Sequence, residues 1–149
     1  MSVPASNSKQ STPDNDNDGT FSIDFSRVLV VGKSPVNRIV VSKIVERCGL
    51  KPISESPETA ARALQVFRPG TIVLDGGPGN KDCDCLFDGI AAARQAAGSA
   101  KPAVVLLSNT TGTARSLDLP GIVDVVVAKP ITPEQLQPVI DRLIAQGLT

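Results

Sequence analysis

Lys33, Asp75, Ser108 and Lys129 each stand at or just past the end of an apolar run. The runs are Arg27-Val-Leu-Val-Val31 before Gly32 and Lys33, Thr71-Ile-Val-Leu before Asp75, Ala103-Val-Val-Leu-Leu107 before Ser108, and Ile122 to Ala128 before Lys129. If these are parallel strands of one sheet, a carboxylate, a hydroxyl and two ammonium groups converge on one mouth. That mouth is the crevice beyond the carboxyl ends of the strands, where ligands bind in such sheets. A carboxylate between ammonium groups suits ion pairing. Any one polar residue at a strand end can serve solvation alone. Four together, each at the right strand end, point to a site.

Other chemistry is excluded or weak. The chain has no histidine, tryptophan or tyrosine, which removes imidazole catalysis, His metal ligands and base-stacking platforms. Fifteen basic residues balance fifteen acidic ones, so no charge excess points to nucleic acid or an anionic membrane. Cys48, Cys83 and Cys85 fall short of a closed four-ligand zinc site and read as reduced thiols. Asp14 to Gly19 matches the first half of an EF-hand loop, but Phe25 stands where a bidentate Glu belongs.

The elements that must position the site follow from the punctuation. Met1 to about Thr20 is Ser, Asn, Asp and Pro with almost nothing apolar, which predicts a disordered tail over 1–24 before a folded domain over 25–149. Ser34 and Pro35 are an N-cap and first helical residue, and the spacing of Val36, Ile39, Val40, Ile44 and Val45 predicts a helix up to Cys48. The Val36, Ile39, Val40 stripe is assigned to the core. A short strand at Lys51–Ser54, a helix from Ser56-Pro57 to Pro69-Gly70, and a helix over Leu86–Ala97 continue the cycle. A weak helix over Thr110–Leu117 and a last helix opened by Thr132-Pro133-Glu134-Gln135 complete it, with Pro138 predicting a kink or a late start. Five strands alternating with helices predict a flavodoxin-like α/β fold, (βα)5, with a five-stranded parallel sheet of order 2-1-3-4-5 and helices on both faces.

Four stretches carry a family resemblance: Val30-Val-Gly-Lys-Ser-Pro-Val-Asn-Arg38, Ile72-Val-Leu-Asp75, Leu106-Leu-Ser108 and Ala128-Lys-Pro-Ile131. Together, over roughly Arg27 to Gly147, they resemble the receiver domains of two-component response regulators. The Ser-Pro-Val-Asn-Arg stretch is especially similar to receivers attached to hybrid sensor kinases. The resemblance implies that Asp75 is the phospho-acceptor, Ser108 the hydroxyl that senses the phosphoryl group, and Lys129 its cationic anchor. It also implies a cis peptide bond before Pro130.

Two departures qualify the resemblance. Such receivers carry two acidic residues after the first strand, which with the acceptor hold Mg²⁺; here the positions are Gly32 and Lys33. The family's switching aromatic in the last strand is replaced by Val126. The reading is therefore a degenerate receiver, a pseudo-receiver that signals by protein–protein contact without Mg²⁺-assisted phosphorylation and needs no cofactor. Lys33 is expected to reach Asp75 from the crevice rim and partly replace the cation, with Lys129 on the other side.

The expected partner is a histidine kinase or another signalling protein, or a second copy of the chain, met through a face around Thr111, Arg115 and Asp124. No DNA-binding module, no membrane segment, no enzymatic activity and a cytoplasmic location are expected. Two alternatives stay open: a working phospho-receiver that accepts a phosphoryl group on Asp75 from a histidine kinase, and a small phosphate-handling enzyme on the same fold.

Overall fold

Side chains alternate along the first strand, β1 (Asp24–Val31): Val28 and Val30 pack into one buried cluster, Leu29 and Val31 into another. Alternation is the two-residue period of a strand, and apolar residues on both sides mean that β1 is covered on both faces. The computed structural model of the chain describes residues 23–77, 81–98, 102–109 and 122–147. After β1 come α1 (Pro35–Arg47), β2 (Lys51–Glu55), α2 (Pro57–Phe67) and β3 (Pro69–Asp75). A 3-10 turn (Asp84–Leu86) then leads into α3 (Phe87–Ala97), followed by β4 (Ala103–Ser108), β5 (Val125–Ala128) and α4 (Pro133–Gly147).

The five strands are parallel and lie in the order β2-β1-β3-β4-β5, the flavodoxin-like arrangement expected from the sequence. On one face, Val28, Val30, Val73, Val105 and Leu107 pack against Val41, Ile44 and Val45 of α1 and Leu136 and Ile140 of α4. On the other, Leu29, Val31, Ile72, Leu74 and Leu106 pack against Ala60 and Leu64 of α2 and Ile90 of α3. The predicted tail, the partial EF-hand motif, the predicted helix over Thr110–Leu117, and Thr111 and Arg115 lie outside the described residues.

Several boundaries differ from the sequence reading. β1 begins at Asp24, three residues before Arg27 and inside the segment assigned to the tail, because Asp24 pairs with Pro69 and its N–H donates to the Arg68 carbonyl at 2.9 Å. Pro69 and Gly70 accordingly open β3 and do not end α2, which closes at Phe67 with Arg68 left-handed at φ 48°. β5 starts at Val125, not Ile122. Pro138 neither delays nor ends α4, which starts at Pro133 and runs through it.

The largest correction concerns α1. Val36 and Ile39 are 68% and 56% exposed, and Val40 is exposed with them; the buried face is Val41, Ile44 and Val45. The two sets have the same i, i+3, i+4 spacing, displaced by five residues. Periodicity defines a stripe on a helix, and only packing decides which of two such stripes turns inward.

Candidate functional site

Asp75 closes β3, and it shares a face with Val73, two residues earlier, which packs against α1 and α4. Its carboxylate is therefore delivered to the α1 side of the crevice, with its side chain 8% exposed. Lys129, directly after β5, places its ammonium Nζ 2.6 Å from Asp75 Oδ1. The Gly77 N–H also donates to Oδ1, at a longer 3.4 Å. Charge-assisted contacts of the length made by Lys129 are the strong class of hydrogen bond.

The second oxygen is held by a residue that the sequence reading did not single out. The side-chain amide of Asn37 donates from Nδ2 to Asp75 Oδ2 at 2.8 Å. The first turn of α1 explains the reach. Ser34 is the N-cap, its Oγ accepts the Asn37 backbone N–H at 3.2 Å, and Pro35 supplies the fixed φ of the first helical position. A side chain on the first turn leans back past the helix N-terminus, toward the end of the sheet. The available clue was the place of Asn37 three residues after Ser34, in the first turn of the helix that follows the strand-end glycine.

Gly32 is part of the same packing. A Cβ on it would lie 2.8 Å from the Asp75 Cβ and 3.4 Å from Oδ2, so only a glycine lets the carboxylate settle against the end of β1. Gly77 serves the neighbouring loop: its φ is +65°, and the Asp82 carboxylate occupies the space a side chain would need.

Lys33 does not do what was expected of it. Its side chain is 61% exposed and its Nζ pairs with Asp82 Oδ1 at 3.7 Å, not with Asp75. The reason is competition: Asp75 already has Lys129 on one oxygen and Asn37 on the other, while Asp82 presents a nearer carboxylate across the loop. Ser108 ends β4 fully buried, and its carbonyl accepts the Lys129 backbone N–H at 2.9 Å. Thus Gly32, Asp75, Ser108 and Lys129 come together at one end of the sheet, and Lys33 stands at its rim. The Lys129–Pro130 bond is cis.

Cys83 and Cys85 belong to the segment after β3 that walls this end, whereas Cys48 is the C-cap of α1. Cys83 is buried and its Sγ donates to the Asp75 carbonyl at 3.4 Å; burial, followed by the charges of Asp75 and Asp82, pushes its thiol up to about 12. Cys85 is exposed and its Sγ lies 3.7 Å from the Pro57 carbonyl. Asp124, expected on a contact face, is exposed; it accepts the Val104 N–H at 2.8 Å and the Arg94 guanidinium at 2.7 Å, at the opposite end of the sheet.

The donor set does not fit Mg²⁺. That ion takes near-octahedral oxygen ligands, of which proteins usually supply carboxylates. Around Asp75 the end of β1 offers a glycine and a lysine, neither of them a metal ligand, and both carboxylate oxygens accept from protein nitrogens. No cluster of three or more His, Cys, Asp or Glu residues able to hold a metal occurs among the described residues.

No protein-family model matches the sequence, and neither does any curated relative. Solved structures do match, and the likeness is one of fold. A chemotaxis protein of Vibrio cholerae, CheY4, is 20% identical, with a TM-score of 0.60 over 80% of this chain and 99% of that one. The pseudo-receiver domain of the CikA protein is 21% identical, with a TM-score of 0.59 over 78% of this chain and 95% of that one. The receiver domain of sensor histidine kinase PA1611 from Pseudomonas aeruginosa, which has a magnesium ion coordinated in its active-site cleft, is 19% identical, with a TM-score of 0.57 over 82% of this chain and 99% of that one. The fold of this chain is that of response-regulator receiver domains. No helix among the described residues is long and apolar enough to cross a membrane.

Proposed function

We propose that this chain is a degenerate receiver of two-component signalling, acting by protein–protein contact without Mg²⁺-assisted phosphorylation of Asp75. The observation that carries the reading is the state of that carboxylate. Lys129 occupies one oxygen at 2.6 Å and Asn37 the other at 2.8 Å, and Gly32 and Lys33 stand where a receiver's acidic pair would be. In phosphoryl transfer a divalent cation neutralises the charge that develops between acceptor and donor. A single carboxylate already filled by nitrogen donors is poorly suited to recruit one.

The contact surface in this reading is the outside of α1. Val36, Ile39 and Val40 form an exposed apolar stripe that continues along the helix into exposed Lys43 and Arg47. An apolar patch bounded by charge is the usual make-up of a protein interface. The partner is a histidine kinase or another signalling protein, in the cytoplasm. The nearby structures that belong to a sensor kinase and to a pseudo-receiver support this class of partner.

A second reading, a working phospho-receiver, draws on the same geometry: Asp75 ends β3, with Lys129 in contact and Ser108 ending the adjacent strand. One experiment separates the two. The full chain is titrated calorimetrically with Mg²⁺, then incubated with Mg²⁺ and acetyl phosphate and examined by intact mass and peptide mapping. No heat of binding and no phosphoryl adduct is the expected result. An adduct on Asp75 that disappears in Asp75→Asn establishes the second reading.

A further inference from the structure

Asn37 joins two features that are otherwise separate: the carboxylate at the end of β3 and the helix whose outer face is apolar and exposed. It occupies the third residue of α1, after the Ser34 cap. Its backbone N–H is committed to Ser34 Oγ, and its side-chain amide to Asp75 Oδ2. One residue thus ties the first turn of α1 to its own cap and to the sheet.

We propose that Asn37 is the positioning residue for Asp75 in this chain. It holds one oxygen of the carboxylate, and it makes Asp75 an anchor for the start of α1. This deepens the reading above, since α1 is the surface on which that reading relies. Three observations converge on it. The contact is short and links residues 38 positions apart, so it is a tertiary contact and not an accident of local chain geometry. Gly32 leaves room for the Asp75 side chain to lie flat against β1, within reach of the helix. The N-terminus of α1 also carries the positive end of the helix dipole, which favours a carboxylate in front of it.

The anchor acts in the same direction as the packing that selects the stripe α1 presents. A helix with two equivalent apolar stripes needs something to choose between them. Burial of Val41, Ile44 and Val45 supplies most of the preference, and the Asn37–Asp75 bond adds a directional constraint. Turned so that its third residue meets Asp75, α1 keeps Val36, Ile39 and Val40 outside.

The test exchanges donor and acceptor across the contact. Asn37→Asp keeps the side-chain shape but places a second carboxylate against the first. Asn37→Asp combined with Asp75→Asn restores an amide–carboxylate pair, and the carbonyl of the new amide still accepts from Lys129. In urea denaturation of the full chain, the single variant is expected to raise the unfolding equilibrium constant on the order of tenfold or more, and the exchange to recover most of that loss. An exchange variant no more stable than the single variant overturns the proposal.

A second measurement needs no destabilised protein. In the wild-type chain, one Asn37 side-chain amide proton is expected to resonate apart from ordinary asparagine values and to move on Asp75→Asn. An Asn37 resonance indifferent to residue 75 also overturns the proposal. Neither readout depends on phosphorylation, so Mg²⁺ binding by the wild-type chain would defeat the reading of function and leave this inference standing.

Discussion

Gly32 leaves the space beside it to the Asp75 side chain: a methyl group on Gly32 would begin 2.8 Å from the Asp75 Cβ. Gly32→Ala is therefore expected to destabilise the domain by about 1–3 kcal/mol, the usual cost of forcing an extra carbon into a packed site. Asp75→Gly in the same chain removes that Cβ, which alanine would keep, and should return part of the loss. Urea denaturation of the two single variants and the double variant measures both effects. An aspartate at position 32 meets the same obstacle, so rebuilding the acidic pair there requires Asp75 to move.

The ion pair of Lys129 with Asp75, at 2.6 Å, is shorter than the contacts Asn37 and Gly77 make with the same carboxylate. Lys129→Met removes the cation and leaves a nearly buried carboxylate with Asn37 and Gly77 as donors. Stability should fall by about 2–4 kcal/mol, somewhat below the range for a fully buried pair because the lysine is partly exposed. Asp75→Asn in the Lys129→Met background should recover about half, since a neutral amide costs less to bury than an unpaired charge. Chemical denaturation midpoints at neutral pH measure this, and an additive double variant would rule out the pairing.

Two thiols give the protein an alkaline limit. Burial raises the Cys83 thiol to about 12 and, together with the charge of Asp141, the Cys48 thiol to about 11, against an ordinary value of 9.0. Above pH 9 the unfolded chain releases these protons while the folded chain still holds them. The unfolded state then binds fewer protons, so stability decreases as pH rises through that window and is unaffected below it. Guanidinium midpoints measured from pH 8 to pH 11 should fall less steeply in Cys83→Ala and Cys48→Ala, apart from any constant packing loss. The exposed Cys85 should react with iodoacetamide well before Cys83.

Arg94 secures the opposite end of the sheet. Its guanidinium donates to the Pro102 carbonyl at 3.0 Å, the Ile122 carbonyl at 2.9 Å and Asp124 at 2.7 Å, tying α3 to the segments before β4 and β5. Arg94→Ala should cost about 2–3 kcal/mol, the scale of hydrogen bonds to charged groups. Arg94→Lys should recover little of it, because an ammonium lacks the planar fork that spans three acceptors. Thermal unfolding of the two variants tests the point.

Much of the fold was legible because it rests on local rules. Apolar runs of β-branched residues marked the strands of the sheet centre, and Ser34-Pro35, Ser56-Pro57 and Pro133 marked three helix starts. The alternation of strands and helices fixed the class. Strand ends failed where pairing, not composition, sets them. Asp24 and Pro69 look like coil in the sequence and are strand because each lies opposite the other.

The site divides in the same way. The strand-end positions of Gly32, Asp75, Ser108 and Lys129 follow from chain order alone, since parallel strands carry their last residues to one end. What each side chain touches does not. Lys33 and Asn37 are both polar, both near the end of β1, and both long enough to approach Asp75. Only the packing of α1 against the sheet turns Asn37 inward, and only the path of the loop after β3 brings Asp82 to Lys33. The sequence by itself determined the fold class and which residues share the crevice, because those depend on periodicity and order. The tertiary structure decided which stripe of α1 faces solvent and which donor holds Asp75, because rotation about a helix axis is a choice between equal periodicities that packing alone resolves.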